Sequence, residues 1–72
     1  MKIRYDPETD SLRILLRDAP VEDSDEVNPG LILDYDASGT PVAVEILNAS
    51  RVFGKRPVSV EVELVPAEPR KR

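Results

Sequence analysis

The chain has 72 residues, 40% of them hydrophobic and 33% charged, which predicts one small globular domain. It contains no cysteine and no histidine, which excludes disulfides, thiolate chemistry, zinc fingers and a histidine base. The formal net charge is −4, with 4 basic and 11 acidic side chains in residues 1–50 and 6 basic and 3 acidic ones in residues 51–72. This acidity disfavours nucleic acid as a partner, because phosphate binding depends on lysine and arginine.

Membrane spans and targeting signals are the next features that a sequence can show. No stretch approaches the roughly 20 apolar residues that are needed to cross a bilayer. The first residues, MKIRYDPE, contain no apolar core of a signal peptide. We therefore predict a cytoplasmic protein that does not contact a membrane.

The first predicted element is a β-hairpin over residues 2–17. Polar and apolar residues alternate in both arms, which is the pattern of half-buried strands. The sequence DPET between the arms has the aspartate and the proline of a type I turn. Because facing residues of an antiparallel pair share a face of the sheet, Tyr5 should face Leu12 and Ile3 should face Ile14.

Residues 18–30, with the sequence DAPVEDSDEVNPG, are predicted to form a loop. They contain two prolines, five acidic residues and no hydrophobic periodicity. The central acidic residues are candidates for binding a basic partner, because acidic side chains on a long exposed loop attract opposite charge. These candidates are Glu22, Asp23, Asp25 and Glu26.

A second hairpin, predicted over residues 31–47, repeats the pattern of the first. The apolar positions of the first hairpin recur 30 residues later, and each turn follows the dipeptide Tyr-Asp. The aspartate of each dipeptide is interpreted as the residue that starts the turn. The register that keeps the apolar residues on one face pairs Leu33 with Val44 and Tyr35 with Val42, and leaves ASGT as the loop.

A short helical turn and a last apolar run are predicted after the second hairpin. Asn48 can cap a helical turn, which Gly54 would end. The run VSVEVELV, residues 58–65, alternates strictly and is predicted to be a strand. Residues 1–66 would then form a single small β domain, and residues 67–72 a disordered basic tail.

These elements predict an all-β fold, which is mainly β with at most one short helical turn. An antiparallel sheet of two similar hairpins and a C-terminal strand would collect the apolar residues on one face. The residues predicted to form this core or an oligomer interface are Ile3, Tyr5, Leu12, Ile14, Leu16, Leu31, Leu33, Tyr35, Val42, Val44, Ile46, Val58, Val60, Val62 and Leu64. Such a face measures on the order of 400 Å², more than a soluble monomer usually leaves bare. A homodimer or higher oligomer, in which a second copy covers this face, is therefore predicted.

Two motifs carry a resemblance to a known family. They are MKIRYDPETDSL at the start of the chain and PGLILDYDASGTPVAVEILNAS at residues 29–50. In these motifs the chain resembles the small bacterial and archaeal proteins of the domain of unknown function 2283 family, over most of residues 1–50. The resemblance implies a shared fold and no assigned biochemical activity. It also implies an antitoxin-like, partner-binding role, because some relatives sit beside toxin-like genes.

Carboxylates on the opposite face of the sheet offer an alternative interpretation. Asp34, Asp36 and Glu45 are the candidates for holding a divalent cation or for acid–base chemistry. The predicted register does not place the three directly opposite one another, which favours a solvated outer face with one aspartate capping a turn. The sequence has no glycine-rich phosphate loop and no catalytic constellation, so no catalytic residue and no cofactor is predicted.

Two functions are compatible with these observations. The first is a protein-interaction module that associates with itself and binds a basic protein through the acidic loop or a sheet edge. The second is a small-molecule or divalent-metal binding protein that uses the outer-face carboxylates. The first is preferred, because it requires no residue type that the chain lacks.

Overall fold

A computed structural model describes residues 1–54 and 59–68. Its elements lie between Lys2 and Phe53 and form one antiparallel sheet with a short helix after the last strand. The elements are β1 (Lys2–Asp6), β2 (Ser11–Leu15), β3 (Asp23–Asn28), β4 (Leu31–Tyr35), β5 (Pro41–Leu47) and α1 (Ser50–Phe53). The strands follow the order β1-β2-β5-β4-β3, so β1 and β3 are the two edges of the sheet. The predicted mainly β fold class is confirmed.

Both predicted hairpins are present, and their registers are confirmed away from the second turn. The confirmed pairs are Ile3 with Ile14, Tyr5 with Leu12, Leu31 with Ile46, and Leu33 with Val44. Strand β2 also pairs with β5, so the two hairpins lie side by side in one sheet. Their apolar residues therefore form one continuous face.

An aspartate side chain holds each hairpin turn, as the Tyr-Asp dipeptides predicted. Oδ1 of Asp6 accepts a hydrogen bond from the backbone nitrogen of Glu8 at 3.0 Å. Oδ1 of Asp36 accepts hydrogen bonds from the backbone nitrogens of Ser38 and Thr40 at 2.9 and 3.0 Å. These bonds satisfy backbone donors that have no strand partner in the turn.

The pairing of β4 with β5 differs from the prediction next to its turn. A bulge after Asp34 places Tyr35 opposite Pro41 rather than opposite Val42. Proline has no N–H to donate, and within sheets it is confined to edges and bulges. Val42 is fully buried instead, and its carbonyl accepts a hydrogen bond from the backbone nitrogen of Leu16 at 2.8 Å.

The prediction of a loop over residues 18–30 is wrong for the second half of this segment, where the chain forms the edge strand β3. This strand pairs with β4 along its length, with a bulge near Glu26. Pro29 and Gly30 join the two strands, and Gly30 has a φ of 79°. Proline followed by a glycine of positive φ is typical of a type II turn, and this was the available signal for the hairpin. The acidic residues nevertheless favoured the prediction of a loop, because aspartate and glutamate are depleted in strands.

The predicted C-terminal strand is absent from the described part of the chain, and β3 is the fifth strand instead. Residues 59–68 are exposed throughout and belong to no strand, so Val60, Val62 and Leu64 are not in the core. The alternating pattern alone does not make a strand, because a strand also needs a hydrogen-bonded neighbour. Val58 and residues 69–72 lie outside the described residues, and the domain boundary at residue 66 stays a prediction.

Helix α1 packs at one end of the sheet, next to the first hairpin. It follows Ala49, which is fully buried, and is capped by Gly54, whose N–H donates to the carbonyl of Ser50 at 2.8 Å. The ring of Phe53 packs edge-on against Tyr5, with the ring centroids 5.5 Å apart. With four residues, the one helix of the described chain is far too short to span a membrane.

Strand alternation places the predicted core residues of the hairpins on one side of the sheet, here called the apolar face. Its paired members are Ile3, Tyr5, Leu12, Ile14, Leu31, Leu33, Val44 and Ile46. Most of them are only half-buried, and Ile3 is exposed, as is Leu16 beyond the end of β2. Phe53 of α1 covers Tyr5 at one end of this face, and no second sheet covers the rest of it in the described residues.

Candidate functional site

The first candidate surface is the acidic edge, which consists of β3 and the residue before it. Asp23, Asp25 and Glu26 lie in β3, Glu22 precedes it, and all four side chains are exposed. Strand β3 pairs with β4 on one side only, so the other side of its backbone is open in the described chain. The structure thus brings the four predicted partner-binding residues together on a sheet edge rather than on a loop.

The second candidate surface is the apolar face. Its central row crosses four neighbouring strands and consists of Ile3, Ile14, Val44 and Leu33. Asp25 continues this row on β3, opposite Leu33, so the acidic edge borders the apolar face directly. A row of branched side chains on a sheet suits packing against another apolar sheet, about 10 Å away.

The opposite side of the sheet, here called the polar face, contains a buried carboxylate. Asp34 is only 2% exposed. The hydroxyl of Ser24 donates a hydrogen bond to its Oδ1 at 2.6 Å, and Nη2 of Arg13 lies 3.9 Å from its Oδ2. This corrects the prediction of a solvated outer face at Asp34. The strand neighbour opposite it, Ala43, is fully buried as well.

Glu45 forms a carboxylate pair with Asp34 on the polar face. It lies on β5 opposite Arg13 of β2. A hydrogen bond that the protonated Glu45 can donate to Asp34 raises the pKa of Glu45, as do burial and the negative charge of Asp34. Arg13 acts in the opposite direction, because its positive charge favours the ionised form. The charge of this group of two acids and one guanidinium therefore depends on pH.

Asp36 belongs to the turn rather than to this pair. Its carboxylate accepts hydrogen bonds from the Ser38 hydroxyl and from the guanidinium of Arg17. These bonds, together with the backbone N–H of Thr40, hold the pKa of Asp36 well below its usual range. In residues 1–54 and 59–68 no group of three or more side chains is arranged to hold a metal ion. The predicted alternative, a cation held by Asp34, Asp36 and Glu45, has no geometric support there.

The edge opposite β3 is basic on the polar face. Lys2 and Arg4 lie on β1, and Arg4 is directly opposite Arg13 of β2. Like charges directly opposite each other destabilise a strand pair. A shallow cavity of about 240 Å³ opens beside Arg4, Arg13 and Glu45. Neither Lys2 nor Arg4 has an ion-pair partner among the described residues, so the two edges of the sheet carry opposite and unpaired charge.

Sequence reasoning missed Asp10, which joins the first hairpin turn to α1. Its carboxylate accepts hydrogen bonds from the backbone nitrogen and hydroxyl of Ser50, at 3.0 and 2.6 Å, and from the hydroxyl of Tyr5 at 2.8 Å. Asp10, rather than the side chain of Asn48, therefore caps the start of α1. Its φ of 51° is in the left-handed region, which aspartate tolerates. The sequence offers no signal for a partner so distant along the chain.

We expect Asp10→Asn to lower the melting temperature at pH 7 by about 5 °C, because the amide loses the negative charge that strengthens the hydrogen bonds from Ser50 and Tyr5. Hydrogen bonds from Ser50 and Tyr5 hold the pKa of Asp10 below its ordinary value of 3.8. A carboxyl of lowered pKa stabilises the fold above its ordinary pKa, and this contribution disappears as the pH falls through the lowered value. In melts followed by circular dichroism, the difference between the proteins should therefore shrink below about pH 4. A difference that stays constant with pH would show that the charge of Asp10 is not the cause.

The model of one protein family, described as protein of unknown function (DUF2283), matches residues 2–50. The match spans all five strands and reaches the first residue of α1. The chain belongs to this family. A comparison with curated proteins and a comparison with solved structures found no match.

Membership of the DUF2283 family confirms the resemblance seen in the two sequence motifs. The region shared with the family contains the acidic edge, the apolar face and the carboxylate pair of the polar face. Residues 59–68 lie outside it. The family is described only as a protein of unknown function, so membership assigns no activity to this chain.

Proposed function

We propose that this protein is a protein-interaction module, which associates with itself through the apolar face and binds an extended basic segment of a partner at the acidic edge. One observation carries the proposal: in the described residues the sheet is a single layer, whose acidic edge has no neighbour and whose apolar face is covered by α1 only where Phe53 meets Tyr5. A sheet that is hydrophobic on one face needs a second layer for stability. An antitoxin-like role is one form that such partner binding can take, and the cytoplasm stays the predicted compartment.

A second copy of the chain is the proposed cover for the apolar face. Ile14, Leu33 and Val44 are only half-buried, although they lie in the middle strands of the sheet. The face measures on the order of 400 Å² in plan, a size at which an exposed apolar patch marks an interaction site. Two copies related by a two-fold axis would bring two identical apolar faces together, so no other partner is needed to cover them.

An extended basic segment is the proposed occupant of the acidic edge. An added strand would satisfy the open backbone donors and acceptors of β3, while its side chains alternate between the two faces. On one side the segment would meet Asp25 next to the apolar face, and on the other side it would meet Glu26 on the polar face. Basic residues on either side of the segment would therefore meet an acidic residue of β3, and the acidic residues would steer the segment into place.

A synthetic peptide in which lysine and valine alternate tests binding at the acidic edge. We expect the triple variant Asp23→Asn, Asp25→Asn, Glu26→Gln to bind this peptide at least about tenfold more weakly at low salt, because it loses three charges and keeps the side-chain shapes. Fluorescence anisotropy over a range of salt concentrations measures the affinity. The affinity of the wild type should fall as salt is added, and that of the variant should change little.

The matched control removes three exposed acidic residues from other positions, through Glu8→Gln, Asp18→Asn and Glu68→Gln. This control has the same net charge as the β3 variant, and we expect it to bind the peptide as the wild type does. An equal loss of affinity in both variants would show a general attraction between unlike charges. That result would contradict binding at β3.

A further inference from the structure

The last described segment of the chain, residues 59–68, is here called the arm. Its polar and apolar residues alternate as in a strand, although it pairs with no strand of the described chain. The exposed fractions of Val60, Val62, Leu64 and Val65 range from 58% to 87%. The Cα radius of gyration is 15.2 Å, whereas a compact chain of this length has a value of about 11 Å. The arm therefore carries an uncovered apolar row, and the chain is less compact than a packed domain of its length.

The basic edge strand β1 has a charge pattern complementary to that of the arm. Lys2 and Arg4 occupy alternate positions of β1 on the polar face. Glu61 and Glu63 occupy alternate positions of the arm, between its valines and leucine. The outer side of β1 is unpaired in the described chain. An acidic strand-like segment without a neighbour and a basic strand edge without a neighbour thus occur in the same molecule.

We propose that the arm of one copy adds to β1 of a second copy as an antiparallel sixth strand. The two alternating patterns and the charges together select the register. It pairs Glu61 with Arg4, Glu63 with Lys2, Val60 with Tyr5, and Val62 with Ile3. In this register every glutamate of the strand pair faces a cation on the polar face, and every valine extends the apolar face.

Charge selects this register among those that keep the apolar residues on one face. A shift of the arm by two residues in one direction would place Glu61 opposite Asp6, and like charges directly opposite each other are destabilising. A shift in the other direction would place Ser59 opposite Arg4 and leave Glu63 beyond the end of β1. The proposed register also supplies Arg4 with a carboxylate, whereas within the described chain Arg4 faces Arg13. The antiparallel direction continues the pattern of the whole sheet, and parallel pairs are slightly less stable for each residue.

The area of the apolar face argues for a second copy as the source of the arm. A face on the order of 400 Å² is about half of the roughly 800 Å² that each partner buries in a stable interface. Burying a valine or leucine side chain removes on the order of 100 Å² from water, so the three arm residues on the apolar side, Val60, Val62 and Leu64, supply much of the shortfall. Reciprocal exchange closes after two copies, because both arms make the same contact. This inference rests on the proposed self-association and adds a second contact, between the arm and β1, that stabilises the dimer.

Single cysteines report this contact directly, because the chain has none of its own. Arg4→Cys protein is mixed with Glu61→Cys protein that carries a tag of different length, and the mixture is oxidised under mild conditions. Facing strand residues approach to the distances that a disulfide requires, so we expect a disulfide between two chains. The control mixes Glu61→Cys with Asp23→Cys on the opposite edge, where no disulfide is expected.

Each result of this experiment either supports or overturns the exchange of arms. A disulfide between chains in the Arg4–Glu61 mixture, and not in the control, supports it. A chain that carries both cysteines and closes a disulfide only within itself would assign the arm to its own β1 and overturn the second copy as occupant. A dimer in sedimentation without the disulfide would overturn the arm contact alone, whereas a monomer would overturn the proposed self-association as well.

A matched pair of variants gives a second measurement that does not depend on disulfide geometry. Val62 in the arm is 71% exposed, and Val52 in α1 is 70% exposed. We expect Val62→Asp to raise the dimer dissociation constant at least about tenfold, since it places a carboxylate beside Ile3 of the second copy. Val52→Asp should leave the constant unchanged. Equal dissociation constants for the two variants in sedimentation equilibrium would overturn the role of the arm.

Discussion

Val44→Asp should abolish self-association and lower the free energy of unfolding by several kcal/mol. Val44 lies in the centre of the apolar face, opposite Ile14 on one side and Leu33 on the other. An aspartate there has no cation on the same face, and an unpaired charge in an apolar interface is costly. Leu33→Asp should have the same effect. Sedimentation equilibrium at micromolar concentration and thermal melting measure the two consequences.

Leu15→Asp is the matched control for this experiment. Leu15 is also half-buried, but it lies on the polar face and lines a small cavity with Arg4 and Arg13. An aspartate at this position meets cations, so we expect self-association to persist. A wild-type protein that is monomeric at micromolar concentration, or a dimer that survives Val44→Asp, would contradict the stacking of two apolar faces.

The hairpins could be predicted in register because the relevant information is local. Alternation decides which residues share a face, and a slip of one residue would turn every apolar side chain outward. The Tyr-Asp dipeptides locate the turns, since the aspartate side chain bonds to the next backbone nitrogens. The bulge beside Pro41 could not be predicted in this way. It depends on how β5 pairs with β2 and β4 at once, which is a property of the sheet and not of the hairpin.

The acidic edge could be predicted as a surface but not as a strand. Strand propensity largely reflects how well a side chain packs on a half-buried sheet, and Asp23, Asp25 and Glu26 pack poorly. Strand β3 exists because the turn at Pro29 and Gly30 brings its backbone alongside β4. Charged residues on such an edge also discourage pairing with unrelated strands. The acidic side chains that make β3 look like a loop in the sequence are thus the ones that make the edge selective for a basic partner in the proposed function.

The arm was predicted to be a strand and is not one in the described chain. It has the clearest strand pattern of the sequence, but no neighbouring strand pairs with it. A pattern of alternating residues gives a segment the capacity to pair, and the neighbour has to come from elsewhere. Asp10 and Asp34 show a related limit at the candidate sites. Their hydrogen-bond partners and burial are set by segments distant along the chain, so local sequence could identify them only as acidic residues.

Arg13→Met should lower the free energy of unfolding by about 1–2 kcal/mol at pH 7. Arg13 lies near Asp34 and opposite Glu45, so its removal leaves two carboxylates facing each other without a cation. Removing one member of a fully buried ion pair costs about 3–5 kcal/mol, and the smaller value here follows from the half-exposed guanidinium, which water screens. Methionine keeps much of the length of the apolar stem, so the charge is the main change. Denaturant unfolding at several pH values measures the effect.

The pH dependence and a rescue variant identify the cause of this loss. The pKa of Glu45 is already raised, and without Arg13 it should rise further. A carboxyl of raised pKa binds more protons in the folded state, so stability falls as the pH rises through the interval between the unfolded and the folded pKa. The loss of stability caused by Arg13→Met should therefore be smaller near pH 4, and Glu45→Gln in the same background should restore much of the stability at pH 7.

Arg51→Met, on the exposed side of α1, is the control and should leave the stability unchanged at both pH values. A loss that is equal at both pH values and is not rescued by glutamine would mean that Arg13 stabilises the polar face through the packing of its stem.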